Sequence, residues 1–310
     1  MRFPIVDLSA ADAPASINAA CCDIGFFAVV GHDVPAEVVD DAWRAATAFF
    51  DLPLHEKLQS QSKDPDFPYG FFPIEEESLG DGAPPDLNES FNLGPPPRPE
   101  VAAAGGFALS SRLWPRAPAE LQSTWTAYYS EMETLAARLM RMFACALELD
   151  ERFFDDKIDR HLSALRALNY PEQISTPVPG QVRAAEHTDY GTVTILKPGK
   201  ATGGLEVLTA AGEWLRVPHV EQGFIVNLGD LMQVWTNDRW RSTLHRVVNP
   251  DVEVAATERR QSMAFFHQPN WDAQVECLPS CTDADNPPRH PPTRSGPWLR
   301  ARVEAAHEHH

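Results

Sequence analysis

The chain has 310 residues, 43% hydrophobic and 23% charged, a globular balance with room for one large domain or two modest ones. Its 44 acidic against 26 basic residues give a formal charge of −18, a surface that repels nucleic acid and anionic membranes and excludes both as partners. The N-terminal segment Met1-Arg2-Phe3-Pro4-Ile5-Val6-Asp7 turns polar too soon for a signal peptide, no run approaches the roughly 18 apolar residues that a bilayer span needs, and five cysteines are an odd count for a disulfide framework, so the composition reads as cytoplasmic.

In chain order, residues 3–8 read as a short strand and Pro14–Cys22 as a helix, with the proline suited to its first turn. A strand follows at Gly25–Val30. A helix follows over 35–50, where Val38, Val39, Trp43, Ala46 and Phe49 fall near one face. Residues 63–116 are rich in Pro, Gly, Asp and Glu and read as a long irregular stretch with a few short elements, the kind of loop that is usually functional. The strongest helical period runs from Ala117 to Leu149. There Leu121, Trp125, Tyr128, Met132, Leu135, Leu139, Met142 and Phe143 recur at three- and four-residue steps and predict a structural helix against the core.

After Asp159 the texture becomes β-rich. Strands are expected at Ser163–Tyr170, Gln181–Glu186, Thr192–Leu196, Leu205–Leu208, Trp214–Val217, Phe224–Asn227, Thr243–Val248 and Ser262–His267. Turns are expected at Pro179-Gly180, Gly203-Gly204, Ala211-Gly212 and Gly229-Asp230. Many short strands at this spacing suggest a sandwich or barrel, such as a jelly roll. The expectation is an α+β chain with a mainly β core. A helical and irregular region, 1–116, packs on a unit of 117–310 that carries the long helix and the barrel.

The chemistry centres on Glu186-His187-Thr188-Asp189-Tyr190. Strand residues two apart share a face, so His187 and Asp189 present an imidazole and a carboxylate side by side. His245 lies in a second strand-like run. Two histidines and one carboxylate on one side of a cation leave its other positions open, which suits non-haem Fe(II) oxygen chemistry. By spacing alone the three residues more often read as unrelated core or surface side chains. Arg260 and Ser262 also share a strand face, and a guanidinium fork with a hydroxyl suits the far carboxylate of a dicarboxylic co-substrate. The other reading is an exposed edge arginine. Tyr170 is either a third contact to that dicarboxylate or a half-buried aromatic.

The order Asn169-Tyr170-Pro171, His187-Thr188-Asp189-Tyr190-Gly191, Asn227-Leu228-Gly229-Asp230, Leu244-His245-Arg246-Val247 and Arg260-Gln261-Ser262 with Phe265-Phe266 resembles the isopenicillin N synthase-like 2-oxoglutarate/Fe(II) oxygenases. Phe3-Pro4-Ile5-Val6-Asp7-Leu8, Gly25-Phe26-Phe27, Phe49-Phe50-Asp51-Leu52-Pro53 and Glu89-Ser90-Phe91 resemble that family's N-terminal region, so the likeness spans nearly the whole chain. It implies a double-stranded β-helix (jelly roll) with flanking helices. His187, Asp189 and His245 would bind Fe(II), and Arg260, Ser262 and Tyr170 would bind 2-oxoglutarate. O2 would oxidise a C–H bond of a small-molecule substrate by hydroxylation, desaturation or cyclisation. One departure is Val30-Gly31-His32-Asp33-Val34-Pro35, where relatives carry Asn-His-Gly; His32 and Asp33 are not metal candidates. Isopenicillin N synthase itself carries a similar Arg-x-Ser without using 2-oxoglutarate. A co-substrate-independent iron oxidase, another metalloenzyme on the same barrel and a non-catalytic metal binder therefore stand as rivals. Phe72, Phe91, Arg183, Trp235 and Phe266 are candidates for the cavity mouth, and 283–297 for a segment that closes over it or wraps the surface.

Overall fold

The computed structural model describes residues 2–63, 68–74, 84–97, 112–172, 177–199, 204–250 and 257–307. Strand β1 (Ile5–Asp7), helix α1 (Ala13–Asp23), strand β2 (Phe26–Val30) and helix α2 (Ala36–Phe50) open the chain. A short helix α3 (Leu54–Lys57) and strands β3 (Gly70–Phe72) and β4 (Glu89–Leu93) follow. Next come the long helix α4 (Leu121–Ala146), the single turn α5 (Asp155–Ile158) and strand β5 (Ala164–Tyr170). Strands β6 (Ala184–His187), β7 (Val193–Pro198), β8 (Leu205–Leu208), β9 (Trp214–Arg216) and β10 (Phe224–Leu228) lead to helix α6 (Asp230–Trp235). Strands β11 (His245–Val247), β12 (Arg260–His267), β13 (Gln274–Val275) and β14 (Thr293–Arg294) precede the C-terminal helix α7 (Ser295–His307).

Eight strands form one sheet in the order β1-β2-β10-β7-β12-β5-β4-β3, and four form a second, β6-β11-β8-β9. This is the expected jelly roll. Alternation along each strand builds two cores. In β2, Phe27 and Val29 face the helices while Phe26 and Ala28 face the second sheet. In β10, Phe224, Val226 and Leu228 take the helix side and Ile225 the inter-sheet side. Such strands are buried on both faces, so they read as continuous apolar runs.

Helix α4 packs on the outer face of the large sheet through Trp125, Tyr128, Met132, Leu139 and Phe143, all at most 1% exposed. Burial of side chains of this size contributes about 1.5–3 kcal/mol each. The Trp125 indole N–H donates to the Ala42 carbonyl at 3.1 Å, so its polar atom is satisfied. The helix is shorter than the 117–149 expected. It starts after Pro118, whose carbonyl receives the Leu121 N–H at 3.2 Å. It stops where Glu148 takes φ +59° and the Leu149 N–H returns to the Ala144 carbonyl.

Three further expectations shift. The strand expected from Gln181 begins only at Ala184, because the Gln181 N–H closes a turn onto Val178. The strand expected from Thr243 begins at His245, because the Thr243 hydroxyl bonds the Ile24 carbonyl instead. The stretch 63–116, described only in part, contributes β3 and β4 to the large sheet, where β4 pairs with β5 from Glu89↔Asn169 to Leu93↔Leu165. Of the expected Gly203-Gly204 turn, Gly203 lies outside the described residues. No helix among the described residues is long and apolar enough to cross a membrane.

Candidate metal centre

His187 ends β6 and His245 starts β11, and the two are paired directly across the small sheet. Their rings stand 4.2 Å apart between centroids. Asp189 follows two residues after His187, so its carboxylate comes to the same face. Its Oδ1 lies 3.8 Å from His245 Nε2 and 4.0 Å from His187 Nε2. One donor atom from each of the three residues falls within 4.8 Å of the others, the one such group among the described residues. With metal–ligand bonds of about 2.1 Å, small side-chain rotations bring all three onto one cation.

The tautomers are set by the backbone. His187 Nδ1 faces the Ala185 carbonyl at 2.8 Å and His245 Nδ1 faces the Thr243 carbonyl at 3.0 Å. A carbonyl only accepts, so each Nδ1 carries the hydrogen and each Nε2 offers its lone pair to the site. Burial, then the charge of His245, pushes the His187 imidazole down to about 4, so it is neutral and ready to ligate. Asp189 is 6% exposed; burial acts to raise its carboxyl, but the two histidines and the hydrogen bonds from Thr194 and Asn227 outweigh this and hold it below the usual range. Those bonds reach Oδ2, from Thr194 Oγ1 at 2.5 Å and Asn227 Nδ2 at 2.6 Å, and leave Oδ1 turned toward the histidines.

Two glycines let the supporting loops meet behind Asp189. A Cβ on Gly229 would sit 2.4 Å from the Gly191 carbonyl oxygen, and one on Gly191 would sit 2.4 Å from that of His267. The close approach lets the Asp230 N–H donate to the Asp189 carbonyl at 2.7 Å and the Leu231 N–H to that of Gly191 at 3.0 Å. The Asp-Tyr-Gly and Leu-Gly-Asp signatures are thus backbone requirements of the site.

A cavity of about 290 Å³ opens between the sheets beside the three residues. Alternation on β12 points Arg260, Ser262, Ala264 and Phe266 into it, while Met263 and Phe265 join the helix-side core. Arg260, Ser262 and Tyr170 are 4%, 2% and 2% exposed, and Arg260 pairs with Tyr170 across β12 and β5. The guanidinium carbon lies 4.7 Å from the centre of the Tyr170 ring. Arg260 Nη1 is buried with no hydrogen-bond partner among the described residues. A buried cation with an unused donor on a cavity wall fits an anionic co-substrate. Two imidazoles that turn Nε2 to the site and a carboxylate, with open positions facing the cavity, fit Fe(II).

Of the other candidates, Phe266 lines the cavity, whereas Trp235 and Phe91 are core residues at 1% and 0% exposure. Phe72 pairs with Ser90 at the sheet edge, away from the wall. Arg183 is buried behind the wall at 2% exposure. His32 bonds the Gln222 carbonyl and Asp33 pairs with Arg138, far from the site, as expected for a structural segment. The sequence reading missed Asn88, Asn92, Arg166, Leu299 and Val303, all on the cavity wall. Arg166 was legible as the residue four before Tyr170 on a period-two strand. The two asparagines sit beside or in a strand with no clear period. Leu299 and Val303 belong to α7, which holds the mouth through Trp298 Nε1 donating to the Tyr190 carbonyl at 3.1 Å and an Arg302–Asp230 ion pair at 3.0 Å.

Residues 3–117 match the family model described as the N-terminal region of non-haem dioxygenases in morphine synthesis, and residues 162–269 match that of the 2OG-Fe(II) oxygenase superfamily. Validamycin A dioxygenase of Streptomyces hygroscopicus subsp. limoneus is 34% identical over 287 residues, covering 88% of this chain and 78% of its own. A 2-oxoglutarate-Fe(II) type oxidoreductase of Emericella nidulans is 33% identical, covering 89% and 79%. Among solved structures, a full-length Neurospora crassa protein crystallised in complex with alpha-KG and thymine superposes with a TM-score of 0.85 at 28% identity, over 98% of this chain and 96% of that one. A 2OG-Fe(II) oxygenase family protein from Caulobacter crescentus superposes with a TM-score of 0.87 at 28% identity, over 98% of each chain.

Proposed function

This chain belongs to the 2OG-Fe(II) oxygenase superfamily, and from that premise we propose that His187, Asp189 and His245 hold its iron and that Arg260, Ser262 and Tyr170 hold its 2-oxoglutarate. The protein is a non-haem Fe(II)- and 2-oxoglutarate-dependent dioxygenase acting on a small molecule. Bound iron supplies the oxygen-activating chemistry, in which O2 and 2-oxoglutarate yield succinate, carbon dioxide and one oxidising equivalent pair for a substrate C–H bond.

The observation that carries the residue assignment is the meeting of three donor groups within 4.8 Å beside a cavity whose wall holds an unpartnered arginine donor. Asp189 would offer Oδ1 to the ion, because Thr194 and Asn227 occupy Oδ2. The backbone fixes both imidazole tautomers. Arg260 and Ser262 grip the far carboxylate of 2-oxoglutarate, and Tyr170 lies against the guanidinium. Apolar walls from Phe26, Leu168, Leu205 and Val247 keep water from the reacting atoms.

The substrate end of the cavity carries Arg166 and Asn92, paired across β5 and β4, with Tyr190 and Phe266 as aromatic walls. Asn92 Nδ2 donates to the Pro68 carbonyl, which leaves its buried Oδ1 as an acceptor. A flat ring bearing a carbonyl for Arg166 and an N–H for Asn92 suits this set, and a neighbour of the same fold is crystallised with thymine. The five unpaired thiols support a reducing, cytoplasmic setting.

The test is to supply Fe(II), 2-oxoglutarate and O2 and to follow succinate. Release that needs all three supports the assignment. Oxidation without 2-oxoglutarate would make it a co-substrate-independent oxidase, and no oxygen uptake with any ring substrate, thymine included, would remove the reading.

A further inference from the structure

We propose that Arg183 is a positioning residue that acts with Arg260 as a second cation for the distal carboxylate of 2-oxoglutarate, an inference that rests on the co-substrate site assigned above.

Arg183 immediately precedes β6 and is 2% exposed. Its Nη2 donates to the Glu258 carbonyl at 3.1 Å, and its Nε is buried with no hydrogen-bond partner among the described residues. Its guanidinium carbon lies 5.8 Å from the centre of the Tyr170 ring, the same ring that Arg260 approaches at 4.7 Å. Two buried guanidinium groups therefore share one aromatic side chain. Neither makes an ion pair with a carboxylate among the described residues. Arg183 lies behind the cavity wall rather than on it, whereas Arg260, Tyr170 and the next residue, Ala184, line the cavity.

Placing two like charges in a low-dielectric interior is unfavourable unless an anion joins them. Arg183 feels this: burial first, then the charge of Arg260, lowers its guanidinium from the usual range. Burial raises the Tyr170 phenol, and Tyr170 offsets only part of the lowering at Arg183. Glu258 acts on Arg183 less than Arg260 does. A carboxylate arriving at the unpartnered Nη1 of Arg260 enters the field of both cations and relieves their repulsion. Buried Asp86 also lines the cavity and accepts from the Ala185 N–H, and beside it Arg183 gives the site one positive charge more than Arg260 alone would. The excess favours a keto acid with a second carboxylate over one that ends in a methyl group.

A purely structural role predicts something else. The Arg183 carbonyl accepts from Asn88 Nδ2 at 2.9 Å, so a distorted backbone would disturb the cavity for every ligand. The test therefore compares 2-oxoglutarate with 2-oxovalerate, which has the same chain length and metal-binding end but no distal carboxylate. Both are titrated anaerobically into Fe(II)-loaded protein by calorimetry, using wild type, Arg183→Gln and Arg183→Lys. The proposal expects Arg183→Gln to weaken 2-oxoglutarate about tenfold and 2-oxovalerate less than about twofold, with Arg183→Lys close to wild type. Equal weakening of both ligands, or Arg183→Lys as poor as Arg183→Gln, overturns it in favour of a structural role. No change in either overturns it outright. Failure of wild type to bind either keto acid would instead refute the co-substrate site itself.

Discussion

Asn227, on β10 of the large sheet, donates to Asp189 Oδ2 at 2.6 Å and so ties the carboxylate that follows β6 to the large sheet. Partners of this kind hold a ligand's orientation, and their loss typically costs metal affinity 10–100-fold. Asn227→Ala is expected to weaken Fe(II) binding by about that factor, read by anaerobic titration, while leaving the far-ultraviolet circular dichroism unchanged. Asn227→Asp should be worse, because it sets a second carboxylate against Asp189. Wild-type affinity in both variants would show that Thr194 alone orients the ligand.

Arg260→Ala removes a cavity-lining cation that holds an unused donor beside the assigned co-substrate site. Its KM for 2-oxoglutarate is expected to rise at least about tenfold, as for loss of a charge-assisted hydrogen bond worth about 1.5–3 kcal/mol, with kcat at saturation nearly kept. Arg260→Lys should fall between, since an ammonium cannot reproduce the fork. Steady-state kinetics at varied 2-oxoglutarate decides it, and an unchanged KM would reject the clamp.

His267 is 2% exposed and shares a hydrogen bond with Thr192 Oγ1 at 2.7 Å. Burial, then the charge of nearby His161, holds its imidazole well below the usual range, so it is neutral in the fold. The unfolded chain binds a proton there below about pH 6.5 and the folded protein does not. Stability from this group is therefore complete above pH 6.5 and is lost as pH falls, by about 1.4 kcal/mol per pH unit until the folded group itself titrates. Chemical unfolding of wild type and His267→Gln between pH 7 and 5 checks this. The variant should lose about one proton's worth of slope, and parallel profiles would contradict it.

Arg302 pins α7 to Asp230 at 3.0 Å, and Leu299 and Val303 of the same helix line the cavity mouth. Arg302→Ala is expected to leave the KM for 2-oxoglutarate unchanged and to raise substrate-independent succinate formation a few-fold, because a looser helix admits water. An unaltered background rate would show that Trp298 alone seats the helix.

The legible part of this structure was the part with a period. Leu121 to Phe143 stepped by three and four and gave the long helix; the apolar runs Gly25 to Val30 and Phe224 to Asn227 gave strands that the fold buries on both faces. The metal candidates were legible because His187 and Asp189 lie two apart, and Arg260 and Ser262 likewise. What hid was set by non-local pairing. β4 carries Glu89-Ser90-Phe91-Asn92-Leu93, where only Phe91 and Leu93 alternate with polar residues, too short a period to mark a strand. Asn92 joined the site only through its register with Arg166. Helix α7 begins Ser-Gly-Pro and has no clean apolar face, so Leu299 and Val303 gave no signal. Arg183 was a candidate for the cavity mouth, and only the fold set it behind the wall beside the Tyr170 ring.

The assignment as a whole turns on Asp189 and the two histidines gripping one iron. The most direct measurement is the anaerobic absorption band that forms when 2-oxoglutarate chelates protein-bound Fe(II), recorded for wild type and Asp189→Ala. Wild type should develop the band at one iron per chain, and the variant should show neither the band nor tight iron binding. A variant with an undiminished band and intact iron stoichiometry would contradict the account.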